Sequence, residues 1–138
     1  MEQADTEAFD MKKMIADYME NGLLDNIIDM FKRDDSLYAY VGDLLTDERM
    51  RVRIGITALI EALKKEAPDK VTKALPSVSP LLKDSNPVVR GDAAYLLGII
   101  GDKGVIPMLA EIAGDKDPNV RVIAEEAIEE IKSNSGPG

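Results

Sequence analysis

The sequence of 138 residues contains neither histidine nor cysteine, and it carries a net charge of −9. Without these residues the chain lacks thiolates, disulfides, and the commonest general base and metal ligand. We therefore expect a non-enzymatic globular protein with no cofactor and no metal. The excess of acids disfavours nucleic acid as a partner. No apolar run has the length of a membrane span and the first residues lack a basic start, so we expect no membrane association and a cytoplasmic location.

Residues 1–36 are predicted to form two helices. Apolar residues recur at helical spacing over residues 4–20, and this stripe ends at Asn21-Gly22. A second helix is predicted from Leu23 to Arg33, because acids lie near its start and bases at its end, as the helix dipole favours. This acidic segment lacks the pattern that follows it. We interpret it as an N-terminal helical cap that covers an exposed apolar end; a separate functional arm is the alternative.

A helix-and-turn frame recurs three times between residues 37 and 132. Its clearest copy is Asp84–Asp102, in which Asn86-Pro87 closes a turn, an apolar run follows and Gly101 ends the helix. In every copy an aspartate precedes an arginine by six residues. A unit that recurs in this way is typical of a solenoid of stacked helix pairs. The three pairs are Asp47 and Arg53, Asp84 and Arg90, and Asp115 and Arg121.

Each unit is predicted to contain an outer helix followed by an inner helix. Pro76 and Pro107 lie eight residues before Asp84 and Asp115, so we expect a proline to bend two of the outer helices at the same point. Pro80 is expected to split the second outer helix further. The predicted outer helices are residues 37–45, 69–83 and 105–113. The predicted inner helices are residues 49–66, the apolar run between the Asn86-Pro87 turn and Gly101, and residues 118–132.

The repeated frame resembles the HEAT repeat family. The run Val-Arg-x-x-Ala-Ala-x-x-Leu-Gly-x-Ile, which begins at Val89 with Gly91 and Asp92 at its first open positions, resembles the short subtype of phycobilisome-lyase-like proteins. The resemblance implies an all-α fold, a short right-handed α-solenoid of about three HEAT-like helix pairs behind the N-terminal helical cap. The boundaries expected within this one domain are a cap at 1–36, repeats at 37–67, 68–101 and 104–132, and a flexible tail at 133–138.

The three aspartate–arginine pairs have two interpretations. A guanidinium in the first turns of an inner helix can reach the turn aspartate of its own or the neighbouring unit. Because a guanidinium fork on a carboxylate is directional, such contacts would fix how one repeat sits on the next. We therefore predict that these six residues form a structural ladder. The alternative is a row of three arginines that binds an acidic ligand.

The positions that the core pattern leaves open line the concave face in the family that the sequence resembles. Here that column is apolar in its middle and acidic at its C-terminal margin. An exposed apolar patch usually marks an interaction surface; the alternative is that the N-terminal helices cover it. The predicted protein-binding residues are Ile54, Ala58, Ala62, Asp92, Tyr95, Ile99, Val122, Ile123 and Glu126.

Three other features are predicted to be structural. Gly98 is expected where two helices approach closely. The adjacent glutamates at 125–126 and 129–130 are expected on a solvated helix face and not in a catalytic pocket. Three methionines at helical spacing are expected to pack in the core. They are Met30, Met50 and Met108.

The sequence thus predicts a scaffold or adaptor that binds another protein or peptide on its concave face. Tyr95 is the expected anchor, because tyrosine is enriched among the residues that dominate binding energy. We expect a monomer with at most weak self-association. The alternative, which only the lyase-like resemblance implies, is an accessory subunit of a bilin (phycobilisome) lyase.

Overall fold

The computed structural model describes residues 2–134, with side chains from residue 11 onward. Within this range the chain consists of helices, 3₁₀ turns and short connections, without a strand. The α-helices are α1 Glu2–Glu20, α2 Leu24–Arg33, α3 Val41–Leu45, α4 Met50–Glu66, α5 Leu75–Val78, α6 Pro87–Ile100, α7 Ile106–Ile112 and α8 Pro118–Asn134. The 3₁₀ turns are Asp35–Tyr40, Val71–Ala74, Ser79–Lys83 and Lys103–Val105.

The four long helices form a row in which each contacts the next. Helix α1 packs against α4, α4 against α6, and α6 against α8. The shorter α3, α5 and α7 each pack against the long helix that follows them in the chain. Helix α2 packs against α4 and against the 3₁₀ turn Asp35–Tyr40, which follows α2 in the chain. The expected all-helical repeat architecture is therefore present.

The ends of α6 follow from capping chemistry. The Asn86 side chain accepts a hydrogen bond from the Val88 N–H at 2.9 Å, and Pro87 occupies the first turn, where a missing N–H costs nothing. At the other end Gly101 adopts φ of 79°, a left-handed conformation that only glycine takes readily. The sequence prediction for this helix is confirmed at both ends.

The outer helices differ from the prediction, because each is a 3₁₀ turn followed by a short α-helix. The predicted helix at 37–45 is split between Asp35–Tyr40 and α3. Pro76 and Pro107 lie in the first turns of α5 and α7, so they begin new helical segments and do not bend continuous helices. Pro80 lies similarly in the 3₁₀ turn Ser79–Lys83, which confirms the expected further split.

Two expectations about chain segments are also corrected. Ser133 and Asn134 belong to α8, so this helix runs past the predicted end at Lys132; residues 135–138 lie outside the described part.

Met50 and Met108 are exposed, Met50 by 65%, and do not pack in the core, whereas Met30 is partly buried against it. Because Met50 is the first residue of α4, the next turn of helix does not shield it.

The core is almost entirely aliphatic and follows the row of long helices. Its two aromatic rings, Phe31 and Tyr38, are fully buried and stack edge to face with centroids 5.1 Å apart. They lie where α2 meets the first outer segment, so the N-terminal helices share the core of the repeats. Among the described residues, no helix combines the length and apolar character that crossing a membrane would need.

Candidate protein-binding face

Arg90 links two successive units through a bidentate ion pair. Its Nε and Nη2 donate to the two carboxylate oxygens of Asp115 at 2.9 and 3.0 Å. Its Nη1 donates to the backbone carbonyls of Asp84 and Ser85 at 2.8 and 3.2 Å. Since both side chains of the pair are about nine-tenths buried, this guanidinium fixes the turn before α8 against the turn before α6.

The other two arginines repeat one half of this geometry. Arg53 Nη1 donates to the carbonyl of Asp47 at 2.6 Å, and Arg121 Nη1 donates to the carbonyl of Asp115 at 2.7 Å. In all three units the arginine therefore binds the backbone of the aspartate six residues before it. Only Arg90, among the described residues, also forms an ion pair with a turn carboxylate of the next unit. The expected ladder thus has one carboxylate rung, from Arg90 to Asp115, and a backbone contact in each of the three units.

Asp47 has a different partner from the one that the spacing suggested. Its carboxylate accepts from the backbone N–H and Nε of Arg49 at 2.8 and 3.1 Å. Arg49 also reaches Asp17 of α1 at 3.0 Å, which connects the N-terminal helices to the first turn of the repeats. Sequence analysis missed Arg49, because the spacing of six pointed to Arg53. An arginine two residues after a turn aspartate is the local signal that could have found it.

The predicted face is partly exposed in the structure. Tyr95 is 55% exposed, and Ile54 and Val122 are also exposed. Glu126 is exposed, whereas five members are half-buried. These five are Ala58, Ala62, Asp92, Ile99 and Ile123.

A groove runs between α6 and α8 and brings five of the predicted residues together. Its first part has a volume of about 270 Å³ and its second part about 190 Å³, and both parts reach Ile123. The first part is lined by Tyr95, Gly98, Ile99, Ile123, Glu126, Ala127 and Glu130. The second is lined by Pro87, Val88, Gly91, Asp92, Asp117, Asn119, Val120 and Ile123. We call the two parts together the α6–α8 groove.

A neighbouring depression of about 310 Å³ lies between α4 and α6. Ile54 and Asp92 line it, together with two exposed apolar residues that sequence analysis did not assign to the face, Met50 and Val88. Val88 lines the α6–α8 groove as well, so the two depressions adjoin. Ala58, Ala62 and Val122 line none of these depressions. Val88 follows Pro87, the proline that begins α6. This position beside a helix start is the sequence signal that could have predicted its exposure.

The N-terminal helices pack beside this face. Met19 of α1 lies directly over Gly55 of α4, where any larger residue would overlap it. Position 55 corresponds in the repeated frame to Asp92 of α6. No described residue of α1 or α2 lines the α6–α8 groove or the α4–α6 depression. Helix α1 thus contacts α4 beside the apolar column, and the described residues of α1 and α2 leave the column uncovered along α6 and α8.

A comparison with known protein families identifies the family to which this helical repeat belongs. The family model described as HEAT repeats matches residues 41–129, which is more than half of the chain. The chain belongs to the HEAT repeat family. The match spans α3 to α8, and hence every residue of the groove except Glu130. Neither the search of curated proteins nor the search of solved structures found a match.

The electrostatics of this HEAT repeat face are acidic. Burial raises the pKa of Asp92 above its ordinary value, and the positive charge of Arg53 opposes this rise. At the ion pair between units the shift has the opposite sign, because the hydrogen bonds from Arg90 lower the pKa of Asp115. Among the described residues, no group of three or more carboxylates, histidines or cysteines is arranged to hold a metal ion. The groove thus combines apolar side chains with carboxylates.

Proposed function

We propose that this HEAT repeat protein is a non-enzymatic scaffold that binds a protein or peptide in the α6–α8 groove. We further propose that its helices form a right-handed solenoid of three pairs with this groove on the concave side. The observation that carries the proposal is the exposed ring of Tyr95 beside the half-buried Ile99 and Ile123.

Apolar surface that is left in water costs free energy. Tyr95, Val88 and Ile54 are more than half exposed, and they adjoin depressions that an apolar side chain could fill. Contiguous apolar surface of this kind usually marks an interaction site. HEAT repeats commonly mediate protein–protein interactions, which agrees with this assignment. An exposed tyrosine at the edge of a groove has the amphipathic character of a binding hot spot.

The composition supports a binding function and not catalysis. The chain has no histidine or cysteine. The glutamates of α8 lie on an exposed helix face and not in an enclosed pocket; they are Glu125, Glu126, Glu129 and Glu130. We propose accordingly that the protein is not an enzyme and needs no cofactor. A monomer in the cytoplasm is part of the same proposal.

Co-purification from the native host tests the proposal. Tyr95→Ala removes the exposed ring, and we expect this variant to keep its melting temperature but to lose its partner in a pull-down. Met108→Ala is the matched control, because Met108 is also exposed and apolar but belongs to α7. Equal recovery of the partner by wild type and Tyr95→Ala would remove this face from consideration.

The lyase-like subtype remains a proposal that the run beginning at Val89 supports. It would make the protein an accessory subunit of a bilin lyase. The groove gives this alternative little support, because none of the described lysines or arginines lines it to bind the propionates of a tetrapyrrole. Mixing the protein with a free bilin and recording the visible spectrum tests it; an unchanged spectrum would exclude it.

A further inference from the structure

We infer that the partner segment bound by the α6–α8 groove is a cationic amphipathic helix, with apolar residues on one face and lysine or arginine beside them. This inference rests on the proposed function and adds the chemistry of the partner. The groove contains the apolar side chains of Tyr95 and Ile99 in its first part, and Ile123 lines both parts. Both parts of the groove also contain carboxylates. None of the described lysines or arginines lines either part.

The position of the acids determines the expected partner. Glu126 and Glu130 lie one turn apart on α8 and line the first part of the groove, whereas Asp92 and Asp117 line the second. An apolar helix face laid in the groove would therefore have carboxylates beside it in both parts. Recognition of an amphipathic helix by an apolar groove is a general mode of peptide binding. The acids select for lysine or arginine on the helix, because opposite charges are favoured across an interface.

The four carboxylates of the groove differ in the hydrogen bonds that they accept from the described residues. Asp117 accepts from the backbone N–H groups of Asn119 and Val120, and Glu130 accepts from the side chain of Asn134. By contrast, neither Asp92 nor Glu126 accepts a side-chain hydrogen bond from the described residues. Asp92 is also half-buried, so its ionised form has lost hydration that a partner cation would replace. These two side chains are the expected contacts for the basic residues of the partner.

The charge of the chain argues against a second copy as the occupant. At a net charge of −9, two copies repel each other, and an acidic groove has no basic groove to face. A cationic helix has the complementary charge, and its association should weaken as salt screens the attraction. The inference therefore commits to a positively charged partner.

The probe is a synthetic helix of about 18 residues with leucine at helical spacing and lysine elsewhere, with a leucine–glutamate helix of the same pattern as its counterpart. Binding is measured by titration into the ¹⁵N-labelled full chain. We expect the lysine helix to shift the amide signals of Gly91, Gly98 and Ile123, and the glutamate helix to leave them unchanged. Raising the salt concentration should weaken the lysine complex.

Two double variants on the same helix provide a matched comparison. Glu126→Gln with Glu130→Gln removes two charges from the groove, whereas Glu125→Gln with Glu129→Gln removes two exposed charges of α8 outside it. The first pair should weaken binding of the lysine helix by roughly threefold or more, and the second should not. Size-exclusion chromatography with light scattering should show a monomer.

Several results would overturn the inference. These are no binding of the lysine helix, equal binding of the glutamate helix, shifts confined to other helices, an equal loss for both double variants, or a dimer joined through this groove. A different result would contradict the proposed function, namely recovery of the native partner by the Tyr95→Ala variant. A partner that depends on Tyr95 but not on Glu126 and Glu130 would leave the function standing and end the inference.

Discussion

Arg90 is, among residues 11–134, the one charged residue that is buried, with 7% of its surface exposed. Its guanidinium is satisfied by the Asp115 carboxylate and by two backbone carbonyls. Removing it would leave the nearly buried carboxylate of Asp115 without its charged donor. The cost of leaving such a charge unpaired is large compared with the total stability of a small domain.

We therefore expect Arg90→Ala to lower the free energy of unfolding by about 3–5 kcal/mol. Arg121→Ala is the matched control, because its described contact is a single hydrogen bond to the carbonyl of Asp115. The loss there should be about 1 kcal/mol. Urea denaturation followed by circular dichroism measures both. Equal losses in the two variants would contradict the special role of the ion pair, and a stable Arg90→Ala that fails to bind a partner would make the arginines the site.

The same pair predicts a dependence on pH. Because the pKa of Asp115 is lower in the folded chain than its ordinary value of 3.8, the pair stabilises the fold fully above that value. This stabilisation is lost as the pH falls through the folded-state pKa, where Asp115 is protonated. We expect the difference in unfolding free energy between wild type and Arg90→Ala to be constant near neutral pH and to shrink below pH 3.8. A difference that stays unchanged at pH 2–3 would assign the stability of the pair to packing alone.

At the scale of single residues, the sequence patterns predicted which residues contact each other better than they predicted which residues are exposed. The spacing of six identified all three arginines that bind the aspartate turns, but it could not show that Arg49 takes the Asp47 carboxylate. Met50 was expected to be buried, because helical spacing alone does not show whether a neighbouring helix covers a first turn. Which acid has no side-chain hydrogen bond from the described residues, as Asp92 has none, depends on neighbours from other units.

At the scale of elements, the close packing of α6 on α8 depends on a glycine. A methyl group added at Gly98 would lie 3.0 Å from Cβ and 3.1 Å from Cα of Ala127, whereas one added at Gly91 would meet only the tip of Ile123 at 3.1 Å. The expected close approach at Gly98 is thus confirmed. A side-chain tip can rotate away, but the backbone of a packed helix cannot.

We expect Gly98→Ala to be less stable than Gly91→Ala by about 1 kcal/mol or more. Both variants gain the same helix propensity, about 1 kcal/mol, so their comparison isolates the contact between helices. Thermal unfolding of the two purified variants measures the difference. Equal melting temperatures, or a higher value for Gly98→Ala, would show that α8 moves away without cost.

The long helices were predictable from the sequence and the outer segments were not. Helix α6 has a side-chain cap at Asn86 and a left-handed glycine at its end, and both signals are local. The outer segments have prolines near their middle, and a proline can either bend a helix or begin a new one. Which of these occurs depends on packing against the next long helix, and the sequence pattern does not contain that information.

At the scale of the whole molecule, the N-terminal helices are tied to the repeats, and none of their described residues lines the groove. The ion pair between Asp17 and Arg49 and the contact of Met19 with Gly55 hold α1 against α4. The sequence predicted the column of open positions but left its covering undecided, because a helix at one end of a row can pack on either side. Helix α1 continues the row of long helices, so the exposed surface begins at the seam between α4 and α6.

The central claim is that a protein partner contacts the α6–α8 groove, and site-specific photo-crosslinking tests it most directly. A photoreactive phenylalanine analogue replaces Tyr95 in one variant and Met108 in another, and both are irradiated in the native host. We predict a crosslinked partner at position 95, recovered in smaller amount when Glu126 and Glu130 are changed to glutamine, and none at position 108. A partner crosslinked at position 108 but not at position 95 would contradict the claim.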